Sequence, residues 1–169
     1  MRLVRLFAIV FAAMLLFTGH AEGLMDTEEF LIYYEVISEH HTHAPVLEED
    51  AMQTYAADSG YTGNYWELPL GFTFAVVTDS AGVPTGAICI GSETMLGDFL
   101  SCSVTAIASL DQCPTDLSEI RSELLRAYFD CRADSQIHTG QTPDGRIIFS
   151  IQPQDNGRLD MTAFLNPGE

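Results

Sequence analysis

The sequence predicts an α+β fold, with one antiparallel sheet of about five strands and helices packed on it. Three observations carry that expectation. Phe72–Thr78 and Gly86–Ile90 are β-branched, aromatic and small apolar runs, and the loop between them holds Asp79, Ser80, Gly82 and Pro84, which marks a hairpin. Apolar residues at helical spacing recur in three other segments. The last third of the chain carries Asp144-Gly145 and Asn156-Gly157, hairpin signals because these residues tolerate positive φ. The resulting order is α-(β)-β-β-α-α-β-β-β, and strands and helices segregated in this way favour an antiparallel sheet.

The first helix is expected over Met25–His40. Asp26 and Glu29 have the spacing of a capping box, and Phe30, Tyr33, Tyr34 and Ile37 fall on one face. Pro45 disfavours helical geometry at Ala44, so the helix should break near His43. Residues 52–56 read as a short strand or a helical turn. Tyr65–Leu68 reads as an edge strand stopped by Pro69. In the hairpin, Phe72, Phe74 and Val76 share one face of the first strand, and Ile88 and Ile90 share one face of the second. Ala75, Val77, Ala87 and Cys89 are also apolar, so cover is expected on both sides of the pair.

A second helix is expected over Leu96–Leu110 and a third over Leu117–Cys131, with Asp116 and Glu119 placed to cap the third. The short linker makes them an antiparallel pair, which would bring Cys102 near Cys131 and suggests a disulfide between them. Three closing strands are expected over Ser135–Thr139, Arg146–Gln152 and Arg158–Phe164.

The N-terminus carries Arg2 and Arg5, an unbroken apolar run from Leu6 to Phe17, and small residues at Gly19 and Ala21. This is the pattern of a secretory signal peptide. The run is shorter than the ~20 residues of a spanning helix. Cleavage after Ala21 would leave one exported domain over residues 22–169, secreted or periplasmic, with no membrane attachment once the leader is gone.

The net charge is −17, with 24 acids, and removal of Arg2 and Arg5 takes it two units lower. Such a field repels phosphate backbones, so nucleic acid is not an expected partner. Four Cys in an exported chain permit two disulfides, and none of the spacings is C-x-x-C.

Two constellations could carry chemistry. Glu39, His40, His41 and His43 supply nitrogen and oxygen donors suited to Zn²⁺ or Cu²⁺, although the spacing is not that of a zinc protease, and a solvated helix end accounts for the same residues. Tyr61, Tyr65 and Trp66 could stack on a ligand, although alternation on a strand sends one of the last two into the core. The chain has no G-x-S-x-G, Walker A or dinucleotide motif. The expectation is an acidic, non-catalytic binding or interaction protein, with a protein or small molecule as ligand. The alternatives are a metal-binding protein using His40, His41 and His43, and a hydrolase whose acids the sequence does not locate.

Overall fold

A computed structural model describes residues 25–56, 61–112, 116–154 and 156–166 of the chain. The expected leader over residues 1–21 and Cys113 lie outside the described residues. Among the described residues, seven strands form a single antiparallel sheet, against the five or so expected. The strands are β1 (Gln53–Ala56), β2 (Thr62–Leu68), β3 (Phe72–Thr78), β4 (Pro84–Ser92), β5 (His138–Gln141), β6 (Ile147–Pro153) and β7 (Arg158–Leu165). The α-helices are α1 (Thr27–Ile37), α2 (Leu96–Asp111) and α3 (Leu117–Asp134). The chain therefore runs α-β-β-β-β-α-α-β-β-β.

The sheet order is β1-β2-β3-β4-β7-β6-β5. Two meanders meet at the β4–β7 pair, where Cys89 lies opposite Met161. The region whose pattern is least regular supplies two strands, where the expected order allowed for one. Residues 53–56 form the edge strand β1, and Tyr65–Leu68 belongs to a longer strand flanked on both sides. Pro69 does end β2, as expected, through a short 3-10 turn.

All three helices lie on one face. The register of the hairpin pairs Phe74 with Cys89 and Val76 with Ala87, so Ala87 and Cys89 point to the helices together with the large β3 residues. Ala75, Val77, Ile88 and Ile90 make a separate cluster on the other face, with Tyr61, Tyr65 and Phe164 packed against it. The hairpin is apolar on both sides, as the sequence suggested, but its two strands are in a different register from a simple grouping of large with large. Gly86 makes room on that second face, since a Cβ there would stand 2.5 Å from the Phe164 ring.

α2 crosses the middle of the sheet, with α1 and α3 on its flanks. Its residues 102–111 are all buried, which suits their small size. The hydroxyls of Thr105 and Ser109 satisfy themselves on carbonyls one turn back, at 2.7 Å in each case. At its C-terminus the buried Asp111 carboxylate lies 3.0 Å from the Arg146 guanidinium, tying α2 to the start of β6. α3 runs one turn longer than expected. Its N-cap Asp116 accepts from Ser118 N at 2.9 Å, and hydrogen bonding from the Ser118 side chain, then its backbone, holds the carboxyl below the usual range.

The expected capping box on α1 is present, with Asp26 accepting from Glu29 N at 2.9 Å and Asp26 N donating to Glu29 at 3.2 Å. Phe30, Tyr34 and Ile37 enter the core, whereas Tyr33 stays outside. The Phe74 ring is central here, 5.2 Å from Tyr34 and 5.9 Å from Trp66 between centroids.

Candidate functional site

α1 does not stop at Ile37. Residues 38–42 continue it as one π-helical turn, closed by His43 N donating to Ser38 O at 2.8 Å. His43 then adopts a left-handed conformation, φ 54°, and the chain reverses. The returning segment, residues 44–52, runs back beside α1. Three buried side chains hold it there. Tyr34 Oη donates to Pro45 O at 3.1 Å, Ser38 Oγ to Ala44 O at 2.8 Å, and Trp66 Nε1 to Glu48 O at 2.9 Å. Thr42 fastens the turn itself to α2 through a 2.6 Å contact with Thr105.

Between α1 and this segment lies a groove of about 540 Å³. Its apolar lining comes from Leu31 and Ile32 on the helix and from Val46, Leu47 and Met52 on the returning chain. Ile32 and Val46 are 55% and 70% exposed. Glu28, Glu35 and Glu39 line the helix side and Glu49 the opposite wall. Among the described residues none of these four carboxylates makes a hydrogen bond or an ion pair. The groove is therefore an apolar slot with four unneutralised acids around it.

The sequence holds a trace of this site that the core-directed pattern hides. Glu28, Leu31, Ile32, Glu35 and Glu39 repeat at helical spacing, one face round from Phe30, Tyr34 and Ile37. The apolar pair Leu31 and Ile32 off the core stripe is the signal. Its partner wall, residues 46–52, has no periodicity and could be located only in three dimensions.

The residues expected to bind metal sit at the reversal. His40, His41 and His43 are exposed, and the rings of His40 and His41 stand 6.4 Å apart between centroids. Among the described residues no group of three or more His, Cys, Asp or Glu side chains is placed to hold one ion. Consecutive positions on a helical turn point their side chains in different directions, which is why three neighbouring imidazoles do not converge. Glu39 faces the groove instead.

The aromatic trio also divides. Trp66 is fully buried beneath α1 and serves the groove from behind, through its bond to Glu48. Tyr65 lies on the opposite face of the sheet, its hydroxyl 2.6 Å from Gln53, and Tyr61 packs on the same face. The three do not form one surface.

The Cys102–Cys131 bridge expected from the helix pair is not formed, and Cys89, Cys102 and Cys131 are unbridged in this structure. α2 turns Cys102 down onto the sheet, where its sulfur lies 3.5 Å from that of Cys89 and 3.5 Å from Tyr34 Oη. Cys131 is directed back along α3, donating to Tyr128 O at 3.2 Å. Burial pushes the Cys89 thiol up. The Cys102 thiol is lowered, chiefly because Cys89 donates to it.

One further acid is unusual. Asp160 on β7 is 7% exposed, accepts from Gln154 at 2.7 Å through one oxygen, and has no hydrogen-bond partner for the other. Burial pushes its carboxyl above the ordinary range, against the pull of nearby Arg158.

No protein-family model matches the chain, and neither a search of curated proteins nor one of solved structures returns a match.

Proposed function

We propose that the chain is an exported, acidic, non-catalytic binding domain whose groove between α1 and residues 44–52 receives a basic amphipathic segment of a partner protein. The observation that carries this reading is the pairing of exposed Ile32 and Val46 with Glu28, Glu35, Glu39 and Glu49, carboxylates without cationic partners among the described residues.

Each part of the groove favours the same kind of ligand. Apolar side chains laid on Leu31, Ile32 and Val46 remove apolar surface from water, at roughly 25 cal/mol per Å². Lys or Arg on the flanks of the same segment would meet the four acids, which favours encounter and orientation more than raw affinity. An amphipathic helix in an apolar groove is a recurrent recognition mode. The overall charge of −17 acts in the same direction and disfavours anionic ligands. Export rests on the basic and apolar character of residues 1–21, and no helix among the described residues is long and apolar enough to cross a membrane.

The hydrolase alternative has weaker support. Acid catalysis needs two carboxylates fixed at a defined separation with contrasting environments. The groove acids are exposed, and Asp160, an acid whose carboxyl burial raises, lies on another part of the fold. The test is calorimetric titration of residues 22–169 with a synthetic Leu/Lys helical peptide and its Leu/Glu counterpart. Saturable binding of the first alone supports the reading. Equal behaviour of the two peptides, or no binding of either, contradicts it.

A further inference from the structure

We propose that Cys89 and Cys102 are a disulfide site, a covalent staple between β4 and α2 that closes as the exported chain folds. The two residues belong to different elements, yet their sulfurs are in contact at 3.5 Å. A disulfide needs about 2.05 Å. β4 is a central strand and α2 packs on it, so the pair lies in a contact between two fixed elements of the core.

The surroundings decide when the bond can form. Cys89 and Cys102 are 0% and 1% exposed. An oxidant has no access to them in the finished fold, so the bond forms during folding and is then protected from reductants. This is the behaviour of a structural bridge rather than of a reversible switch. Tyr34 Oη, which donates to Pro45 O, also touches the Cys102 sulfur, so the staple sits directly behind the wall of the groove.

The chemistry balances with a disulfide as oxidant. The Cys102 thiolate attacks one sulfur of the oxidant, and one thiolate leaves. The Cys89 thiolate then attacks the Cys102 sulfur of the mixed disulfide, and the second thiolate leaves. Two protons pass from the cysteines to the departing thiolates, and the oxidant is reduced to two thiols. In an oxidising compartment the oxidant is a protein disulfide of the thiol-oxidase class. The site leans on export only for that natural oxidant, and oxidised glutathione can replace it in a tube.

The experiment is refolding of residues 22–169 in a glutathione redox buffer, followed by alkylation in denaturant without reductant. Cleavage after Asp and Glu places Cys89, Cys102, Cys113 and Cys131 in separate peptides. The expected result is a linked pair of peptides carrying Cys89 and Cys102, with Cys131 alkylated. The linkage should persist in Cys131→Ser, and Cys89→Ser should leave Cys102 alkylated. Full reduction of the refolded protein should lower its Tm by roughly 5–10 °C. Alkylation of both Cys89 and Cys102 in the wild type, or a link from Cys102 to Cys131 or Cys113, would overturn the proposal. The wild-type map decides the matter even if a variant does not fold.

Discussion

Tyr34 and Pro45 are joined by a 3.1 Å hydrogen bond from the phenol to the proline carbonyl, and this bond connects the hydrophobic core to the outer wall of the groove. The ring is 1% exposed and packed on Phe74, so its hydroxyl is held in a fixed position. Removing that hydroxyl in Tyr34→Phe should cost about 1 kcal/mol of stability. The fold should survive, because the ring and its burial are kept. Denaturant unfolding measures the loss, and hydrogen exchange at residues 46–48 should rise with it. An unchanged exchange rate would mean that Tyr34 does not hold the wall.

Two glycines in β4 should respond differently to alanine. A Cβ on Gly91 would stand 2.5 Å from the Phe72 ring and 2.9 Å from that of Phe99, both buried in the core. Gly91→Ala should therefore lose about 1–3 kcal/mol through overpacking. At Gly86 the nearest obstacle is the half-buried Phe164 ring, which can swing outward, although Ala163 O at 2.9 Å cannot. Gly86→Ala should cost less than Gly91→Ala. Thermal unfolding of the two variants side by side checks the order.

Asp160 gives a pH signature. Its carboxyl is raised by burial, so the folded chain holds that proton more tightly than the unfolded chain does. The favourable contribution is present below the ordinary Asp value of about 3.9 and is lost as pH rises through the folded value. Asp160→Asn removes this loss and leaves an oxygen to accept from Gln154. The variant should be more stable than the wild type at pH 7, and the gap should close toward pH 3.5. A gap independent of pH would show that the carboxyl does not titrate as the burial implies.

His40, His41 and His43 serve the chain reversal through their backbone, and His43 N is the donor that closes the π turn. Micromolar Zn²⁺ or Cu²⁺ should leave the Tm of residues 22–169 unchanged within about 1 °C, since a specific ligand stabilises the fold by mass action. A rise that disappears in His41→Ala/His43→Ala would favour the metal reading instead.

Much of the architecture was legible because local signals agreed with one another. The capping box at Asp26, the apolar stripes of α2 and α3, and the turn residues at Gly145 and Gly157 each fix an element without tertiary help. β1 stayed ambiguous between strand and helical turn, because Gln53–Ala56 is exposed and carries no alternation of burial, and β2 was read only over Tyr65–Leu68 and as an edge. The pairing of Phe74 with Cys89 also escaped, since loop length alone leaves the register of two doubly apolar strands open. For the same reason the sequence pairs Cys102 with Cys131 on α3, whereas the sulfur in contact with it is that of Cys89, beneath it on the sheet. The groove was half legible. Its helical wall follows a period, and its other wall depends on three side-chain-to-backbone hydrogen bonds.

The groove is tested most directly by titrating a Leu/Lys helical peptide into the wild type and into Ile32→Ser/Val46→Ser, a pair of substitutions that leaves the charge of the protein unchanged. The expected result is micromolar affinity for the wild type, a loss of about tenfold or more in the double variant, and a further loss in Glu28→Gln/Glu35→Gln. Equal affinity of the wild type and Ile32→Ser/Val46→Ser would show that the peptide responds only to net charge, and would contradict a binding groove between α1 and residues 44–52.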